Sequence, residues 1–169
     1  LLTASSCGSP DPAATPDAAL PDQAICPDGG LYPCAPYGTS VGETAANLSF
    51  SGYMDPEHLC RAPGEQLIDL TTLRKVSFSD WHREAAACAA PGTKRRLLWV
   101  MVSAGWCNAC SAEALDLQAM IKDGTLDPRV APLSVLFETK TVGQAADQAF
   151  VKTWINAYKL TSPGVMDPT

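Results

Sequence analysis

The sequence predicts an α/β domain in which helices pack on a layered sheet with parallel strands. Two apolar, partly β-branched runs, residues 97–102 and 133–137, have the length of buried strands. Each run is followed by apolar residues at helical spacing, the first stretch opening at Cys107 and the second covering residues 143–158. Strands that alternate with helices in this way favour parallel pairing with the helices against the sheet.

The segment before these runs predicts an N-terminal β-hairpin extension and a capped helix. In order, the pattern indicates a strand over residues 47–51, a strand over 66–70, a turn over 71–74 and a strand over 75–78. Ser79 or Asp80 can cap a helix that starts at Trp81, continues through residues 85–90 and ends at Pro91.

In the second half of the chain the helices are identified by their apolar stripes. In the helix that opens at Cys107, the stripe is Cys110, Ala114, Leu117 and Ile121. Lys122 and Gly124 are typical of a helix end. In the second helix the predicted buried face is Ala146, Ala149, Phe150, Thr153, Trp154 and Ala157, and residues 164–166 predict a further strand.

The first 40 residues differ in composition from the rest. Residues 8–40 are rich in Pro, Ala and Asp and offer little to bury, so they predict a disordered tether ahead of a folded domain over residues 41–169. No Lys or Arg precedes Arg61, so residues 1–60 carry seven acids and no base, whereas residues 61–169 have a net charge of +1. The body is close to neutral and has no basic stripe, which argues against nucleic acid as a partner.

The cysteine content and residues 1–7 suggest export. Seven cysteines in 169 residues are typical of oxidising compartments, and no apolar run reaches the roughly 18 residues of a spanning helix. The opening Leu-Leu-Thr-Ala-Ser-Ser-Cys resembles the end of a bacterial lipoprotein signal. That resemblance implies lipidation of Cys7, a lipid anchor, and a place on the periplasmic or cell-envelope side of a bacterial membrane. The alternative is a fragment that begins near a free cysteine.

Cys107 and Cys110 form the Cys-x-x-Cys pair at the predicted start of a helix. Two cysteines three apart in a first helical turn have Cα atoms about 5–6 Å apart, close enough for a disulfide. The partial positive charge of a helix N-terminus favours thiolate, so we expect a lowered pKa for Cys107. Cys107, at the helix tip, would be the cysteine that a substrate reaches and would attack. Cys110, on the apolar stripe, would be more buried and would resolve. Asn108 and Ala109 carry no charge, so both directions of electron flow stay open.

Two other uses of this pair stay open. A purely structural disulfide needs only the same spacing. A zinc site would need two further Cys or His ligands. The two histidines, His58 and His82, do not form a ligand-like pair and are expected at the surface. No metal and no other cofactor is therefore predicted.

Trp106-Cys107-x-x-Cys110 after an apolar strand resembles the thioredoxin superfamily. The upstream strands with their Ser/Asp cap, together with residues 162–168, resemble the redoxin or TlpA/ResA-type branch of exported thiol–disulfide oxidoreductases. The resemblance spans about residues 41–169. It implies a thioredoxin-like fold, a catalytic and redox-active pair of Cys107 and Cys110, and a place for Trp106 on the substrate face.

The chain departs from that family in three places. Asn108-Ala109 stands where the family has Gly-Pro or Pro-Pro, and an insertion containing Cys88 occupies residues 85–94. The family's cis-proline and its final hairpin and helix have no counterpart before Thr169. The resemblance therefore implies an incomplete domain whose 97–102 strand exposes a hydrogen-bonding edge.

Four other cysteines are candidates for structural disulfides. Six cysteines besides Cys7 allow 15 pairings. The simplest arrangement joins Cys26 to Cys34 and Cys60 to Cys88.

The sequence thus predicts an enzyme that exchanges protein disulfides outside the cytoplasm. Its partners would be protein thiols or disulfides and a further redox protein that recycles the pair. One alternative is a non-catalytic thioredoxin-fold lipoprotein with a binding or structural role. Another is a peroxiredoxin-like peroxidase, but such an enzyme has a Thr three residues before its reactive Cys, where this chain has Ala104.

Overall fold

The computed structural model describes residues 32–34, 36–58, 60–61, 64–82 and 97–167. In chain order its elements are β1 (Ser49–Tyr53), β2 (Arg74–Ser77), α1 (Ser79–His82), β3 (Leu97–Ala104), α2 (Asn108–Lys122), β4 (Val130–Glu138), α3 (Gln148–Tyr158) and β5 (Gly164–Met166). The strands form one five-stranded sheet in the order β2-β1-β5-β4-β3.

The sheet is mixed, and its parallel part contains the strands predicted from the apolar runs. β3 pairs parallel to β4, and β4 pairs parallel to β5. β1 is antiparallel to both β5 and β2. The prediction of an α/β domain with parallel pairing is confirmed. In the described part of the chain β3 lies at the end of the sheet, as expected.

β4 has the sequence of a strand covered on both faces, and it lies between two parallel neighbours. Pro132 is tolerated inside this strand because the pairing of β4 with β5 begins only after it. Ser134, two residues later, donates its N–H to Pro163 on the β5 side. The nitrogen of Pro132 points to the same side, but β5 begins only opposite Ser134, so no ladder bond is lost.

The two faces of the sheet carry different helices. On one face α2 and α3 pack through clusters that include Leu117, Trp154 and Leu136. On the opposite face Leu133 and other strand residues pack with the partly buried Trp81 of α1. The alternation of neighbouring β4 residues between the two faces is that of an extended strand.

The predicted hairpin is wrong in its first strand. Residues 66–70 form no strand, and β2 pairs instead with β1, from which it is separated by a long connection. Residues 66–70 do not form a strand because their backbone bonds elsewhere. Leu67 donates its N–H to the carboxylate of Asp55, and Asp69 donates its N–H to the carbonyl of Met54.

The second predicted helix begins later and buries a different face. α3 starts at Gln148, where Asp147 caps it by accepting the N–H of Phe150. Residues 139–146 instead fold back on the end of β4, with the Ala146 N–H donated to the Phe137 carbonyl. The buried residues of α3 are Val151, Trp154 and Ile155, whereas Ala149, Thr153 and Ala157 of the predicted face are exposed.

His58 also differs from its predicted surface position. It is buried, its ring packs edge-on against Trp81 with 5.3 Å between centroids, and its Nδ1 lies 3.1 Å from the carbonyl of Asp55. The side chain of His82 lies outside the described structure.

Several predictions concern residues outside the described ranges. Cys7, Cys26 and Cys88 belong to this group, as does most of the tether over residues 8–40. Cys34 and Cys60 are each disulfide-bonded, while their pairing with Cys26 and Cys88 stays a prediction. In the described ranges no helix is long and apolar enough to cross a membrane.

Asp55 fixes the connection between β1 and β2. Its buried carboxylate accepts the N–H groups of Glu57 (2.8 Å) and Leu67 (2.7 Å) and a guanidinium N–H of Arg61 (2.8 Å). Burial alone would raise the pKa of Asp55. The hydrogen bonds from Leu67, Glu57 and Arg61 outweigh burial, so the pKa lies below its ordinary value.

Asp55→Asn is expected to lower the free energy of unfolding by about 2 kcal/mol near pH 7, because one donor would then face an amide NH₂. The difference from the wild type should shrink as the pH falls through the lowered pKa of Asp55, where the wild type loses the same carboxylate. Urea unfolding between about pH 7 and pH 2 measures both effects.

The control is Asp127→Asn. Asp127 bonds Arg129, and these hydrogen bonds lower its pKa to about 2. Both side chains are largely exposed, so this loss should be much smaller. Equal losses for the two variants would contradict the assignment of Asp55 as the buried anchor.

Candidate functional site

The two cysteines of the Cys-x-x-Cys pair lie at the junction of β3 and α2. β3 ends at Ala104 and the chain turns through Gly105 before α2 begins. Gly105 donates its N–H to the Glu138 carbonyl (3.0 Å), and Cys107 donates its N–H to the Ala104 carbonyl (3.1 Å). The turn is thus bonded to the carboxyl end of β4, the edge where α/β sheets usually place functional groups.

Gly105 is required by a close approach. A Cβ at this position would lie 2.8 Å from both the Lys140 nitrogen and the Thr139 carbonyl carbon, and nearer still to the ring tip of Phe150. Real Cβ atoms are not found at such distances, so a side chain here would displace the backbone after β4. The turn before Cys107 is consequently packed against both β4 and α3.

Cys107 and Cys110 are joined by a disulfide with 5.3 Å between their Cα atoms. Cys107 is the N-cap of α2 and has extended backbone angles, with φ −86° and ψ 104°. Its Sγ accepts the N–H of Cys110 at 3.1 Å, the bond that a capping side chain makes to the third residue of a helix. The predicted position of the pair in the first turn is observed.

The environments of the two sulfurs differ in contacts rather than in exposure. Both cysteines are half-buried, so the predicted difference in burial between Cys107 and Cys110 is not observed. Cys110 packs against the hydrophobic cluster that contains Leu136 and Trp154. Cys107 stands outside that cluster at the helix tip, beside the exposed indole of Trp106.

Trp106 is held at the surface by two contacts with the end of β4. Its indole N–H donates to a carboxylate oxygen of Glu138 at 2.5 Å. Its ring packs edge-on against Phe137 with 6.3 Å between centroids. With 45% of its surface exposed, Trp106 is fixed yet accessible next to Cys107, which suits the predicted role in contacting a substrate.

Glu138 is a neighbour of the site that the sequence prediction did not include. It follows the apolar run of β4, 32 residues from Trp106, so no local pattern connects them. The predicted parallel pairing of the two strands nevertheless contains a signal for this contact. The carboxyl ends of adjacent parallel strands meet at one edge, which places a polar residue ending β4 beside the turn after β3.

Ser111 and Tyr158 were also missed. The hydroxyl of Tyr158 donates to Ser111 Oγ at 2.8 Å, and Ser111 Oγ donates to the carbonyl of Cys107 at 3.3 Å. Tyr158 is the last residue of α3, four positions after Trp154. Tyr158 faces α2 because α3 buries a different face from the one that the sequence predicted.

Within the described residues no group of three or more His, Cys, Asp or Glu side chains is arranged to hold a metal ion. Comparison with known proteins adds no assignment. No protein-family model, no curated protein and no solved structure matches the chain. The chemistry of the site therefore has to be inferred from its geometry.

Glu138→Ala is expected to speed solvent exchange of the Trp106 indole N–H by about tenfold or more, because a hydrogen bond to a charged acceptor contributes about 1.5–3 kcal/mol. Proton-exchange NMR of the indole resonance, assigned with Trp106→Phe, measures this rate. Glu138→Gln keeps an acceptor oxygen and should give a smaller increase.

Glu113→Ala serves as the matched control, since Glu113 is an exposed acid on α2. It should leave the Trp106 exchange rate unchanged. An indole that exchanges at the wild-type rate in Glu138→Ala would show that the carboxylate does not hold it.

Proposed function

We propose that this protein is a thiol–disulfide oxidoreductase that works through Cys107 and Cys110. One observation carries the proposal: the disulfide closes the N-terminus of α2, with Cys107 as the N-cap and its Sγ on the Cys110 N–H. A purely structural disulfide needs no such position. A reactive one benefits from it, because unpaired N–H groups and the helix dipole stabilise the thiolate that attacks disulfides.

The reaction as a reductase has two balanced steps. The Cys107 thiolate attacks one sulfur of a substrate disulfide, forming a mixed disulfide and releasing one substrate thiolate. The Cys110 thiolate then attacks Cys107 Sγ, which closes the Cys107–Cys110 disulfide and releases the second substrate thiolate. Run in reverse, the same steps oxidise a substrate dithiol and leave the pair reduced.

The contacts of the pair support these separate roles. The cluster around Leu136 and Trp154 packs against Cys110. The Cys107 sulfur lies at the helix tip, where Trp106 offers an exposed flat surface for an approaching chain. Cys107 is accordingly the attacking residue and Cys110 the resolving one.

The architecture supports a thioredoxin-like version of the α/β fold. The Cys-x-x-Cys helix follows a parallel strand, β3, and a second crossover through α3 leads to β5. β5 (Gly164–Met166) lies within residues 162–168, the segment whose sequence resembles the redoxin-type strand after the second helix. The Trp-Cys-x-x-Cys motif supplies the specific part of this proposal.

The proposed setting is the outer side of a bacterial membrane. Cys34 and Cys60 are disulfide-bonded, which suits an oxidising compartment. A lipid on Cys7 would anchor the chain, and the acidic leader would extend as a tether. The substrates there would be protein thiols or disulfides, with a separate redox protein that recycles the pair.

The full-length protein, equilibrated in graded glutathione buffers and analysed by thiol trapping, should show a midpoint potential for Cys107–Cys110 between about −120 and −270 mV. Catalysed reduction of a protein disulfide should depend on the same pair. Cys107→Ser should abolish turnover, because it removes the attacking sulfur.

The double variant Cys26→Ser/Cys34→Ser is the control, since it removes two cysteines of the leader and should keep turnover. A potential far below about −300 mV together with turnover independent of Cys107 would refute the proposal in favour of a structural disulfide.

A further inference from the structure

A chain of two hydroxyl groups connects the end of α3 to the backbone of Cys107. Tyr158 Oη donates to Ser111 Oγ at 2.8 Å, and Ser111 Oγ donates to the Cys107 carbonyl at 3.3 Å. The same carbonyl accepts the N–H of Ser111 at 3.1 Å, the first backbone bond of α2. A hydroxyl has a single proton, so the bond from Tyr158 leaves the Ser111 proton free to point at Cys107.

The Tyr158 ring is itself held in place. Phe150, Trp154 and Tyr158 lie four residues apart on α3 and form a column, with 6.1 Å and 4.5 Å between successive ring centroids. At its other end, the tip of Phe150 abuts Gly105. α3 therefore contacts the chain on both sides of the disulfide, at Gly105 in the turn before it and at Ser111 in α2 after it.

We infer that Tyr158 is a positioning residue for the Cys107–Cys110 pair, acting through Ser111. The inference rests on the proposed function, since it concerns how readily that pair opens and closes. The hydroxyl of Tyr158 bonds Ser111, and Ser111 in turn bonds the Cys107 carbonyl. Tyr158 thereby fixes the Cys107 carbonyl, and with it the N-cap geometry in which the two sulfurs face each other.

The direction of the effect follows from comparing the two redox states. In the oxidised protein the covalent bond holds the first turn of α2 whether or not Tyr158 is present. In the reduced protein only noncovalent contacts hold it, so losing them gives the dithiol form more conformational freedom. Removing the Tyr158 hydroxyl should therefore favour the reduced pair and lower the effective concentration of one cysteine for the other.

Tyr158→Phe removes only the hydroxyl. It should lower the equilibrium constant for forming the disulfide against glutathione about three- to tenfold, which makes the midpoint potential about 15–30 mV less negative. Ser111→Ala should have a similar or larger effect, because it removes the group bonded to Cys107. Ser111→Thr keeps the hydroxyl and should restore a value near the wild type. The double variant Tyr158→Phe/Ser111→Ala should have the same equilibrium constant as Ser111→Ala alone, because Tyr158 acts through Ser111.

A second pair of hydrogen bonds, between α2 and the residues after α3, provides a matched control for a contact that only stabilises the fold. About two turns after Ser111 on α2, Gln118 bonds Thr161, which lies just after α3. Gln118 Nε2 donates to Thr161 Oγ1 at 3.0 Å, and the Thr161 N–H donates to Gln118 Oε1 at 3.1 Å. Thr161→Val also removes one hydroxyl between these elements but leaves Cys107 untouched. It should lower the free energy of unfolding without shifting the equilibrium with glutathione.

The measurement is the ratio of disulfide to dithiol in glutathione buffers by thiol trapping and mass spectrometry, with urea unfolding of the reduced variants alongside. An unshifted ratio in Tyr158→Phe, or one shifted no more than in Thr161→Val, would overturn the inference. If Tyr158→Phe does not fold, Ser111→Ala compared with Ser111→Thr decides the same question.

These outcomes are separable from the proposed function. The ratio is defined for any Cys107–Cys110 disulfide, so it can be measured even where no turnover occurs. Absence of Cys107-dependent turnover would refute the proposed oxidoreductase activity. The effect of Tyr158 on the ratio of disulfide to dithiol could still be measured.

Discussion

The hydrogen bond from the Cys110 N–H to Cys107 Sγ is the interaction on which the candidate chemistry depends. It exists because Cys107 is an N-cap with extended backbone, so that its side chain returns to the first turn of α2. That geometry needs a fixed turn after β3, and the sheet order supplies it. With β4 beside β3, Glu138 accepts the Gly105 N–H on its carbonyl and holds the Trp106 indole with its carboxylate.

The fold was predictable where apolar patterns are decisive and was mispredicted where single polar groups compete. The apolar run of β4 identifies a strand covered on both faces, which is typical of a parallel sheet. The equally apolar run of β3 also forms a parallel strand, but at the end of the sheet, where Leu97 and Val102 are exposed. Residues 66–70 fail as a strand because the Asp55 carboxylate captures the Leu67 N–H. Residues 143–146 fail as the start of a helix because they pair with the end of β4, an attraction invisible in local periodicity.

The candidate site was predictable only in its local part. Trp106, Cys107 and Cys110 are close in sequence, and their spacing alone indicates a bridged pair at a helix start. The groups that support them are distant, with 32 residues between Trp106 and Glu138 and 47 between Ser111 and Tyr158. Which distant residues reach the turn depends on strand order and on the phase of α3, and neither is encoded in a short pattern.

Trapping of the mixed disulfide identifies the cysteine that attacks. Reduced Cys110→Ser protein should be treated with an excess of a disulfide-linked peptide and the adduct located by peptide mapping. An attacking Cys107 without its resolving partner should accumulate one peptide, bound at Cys107, because the second step is blocked. Little or no adduct at Cys107, or faster labelling of Cys110 in the matched Cys107→Ser variant, would contradict the assignment of Cys107 as the reactive sulfur.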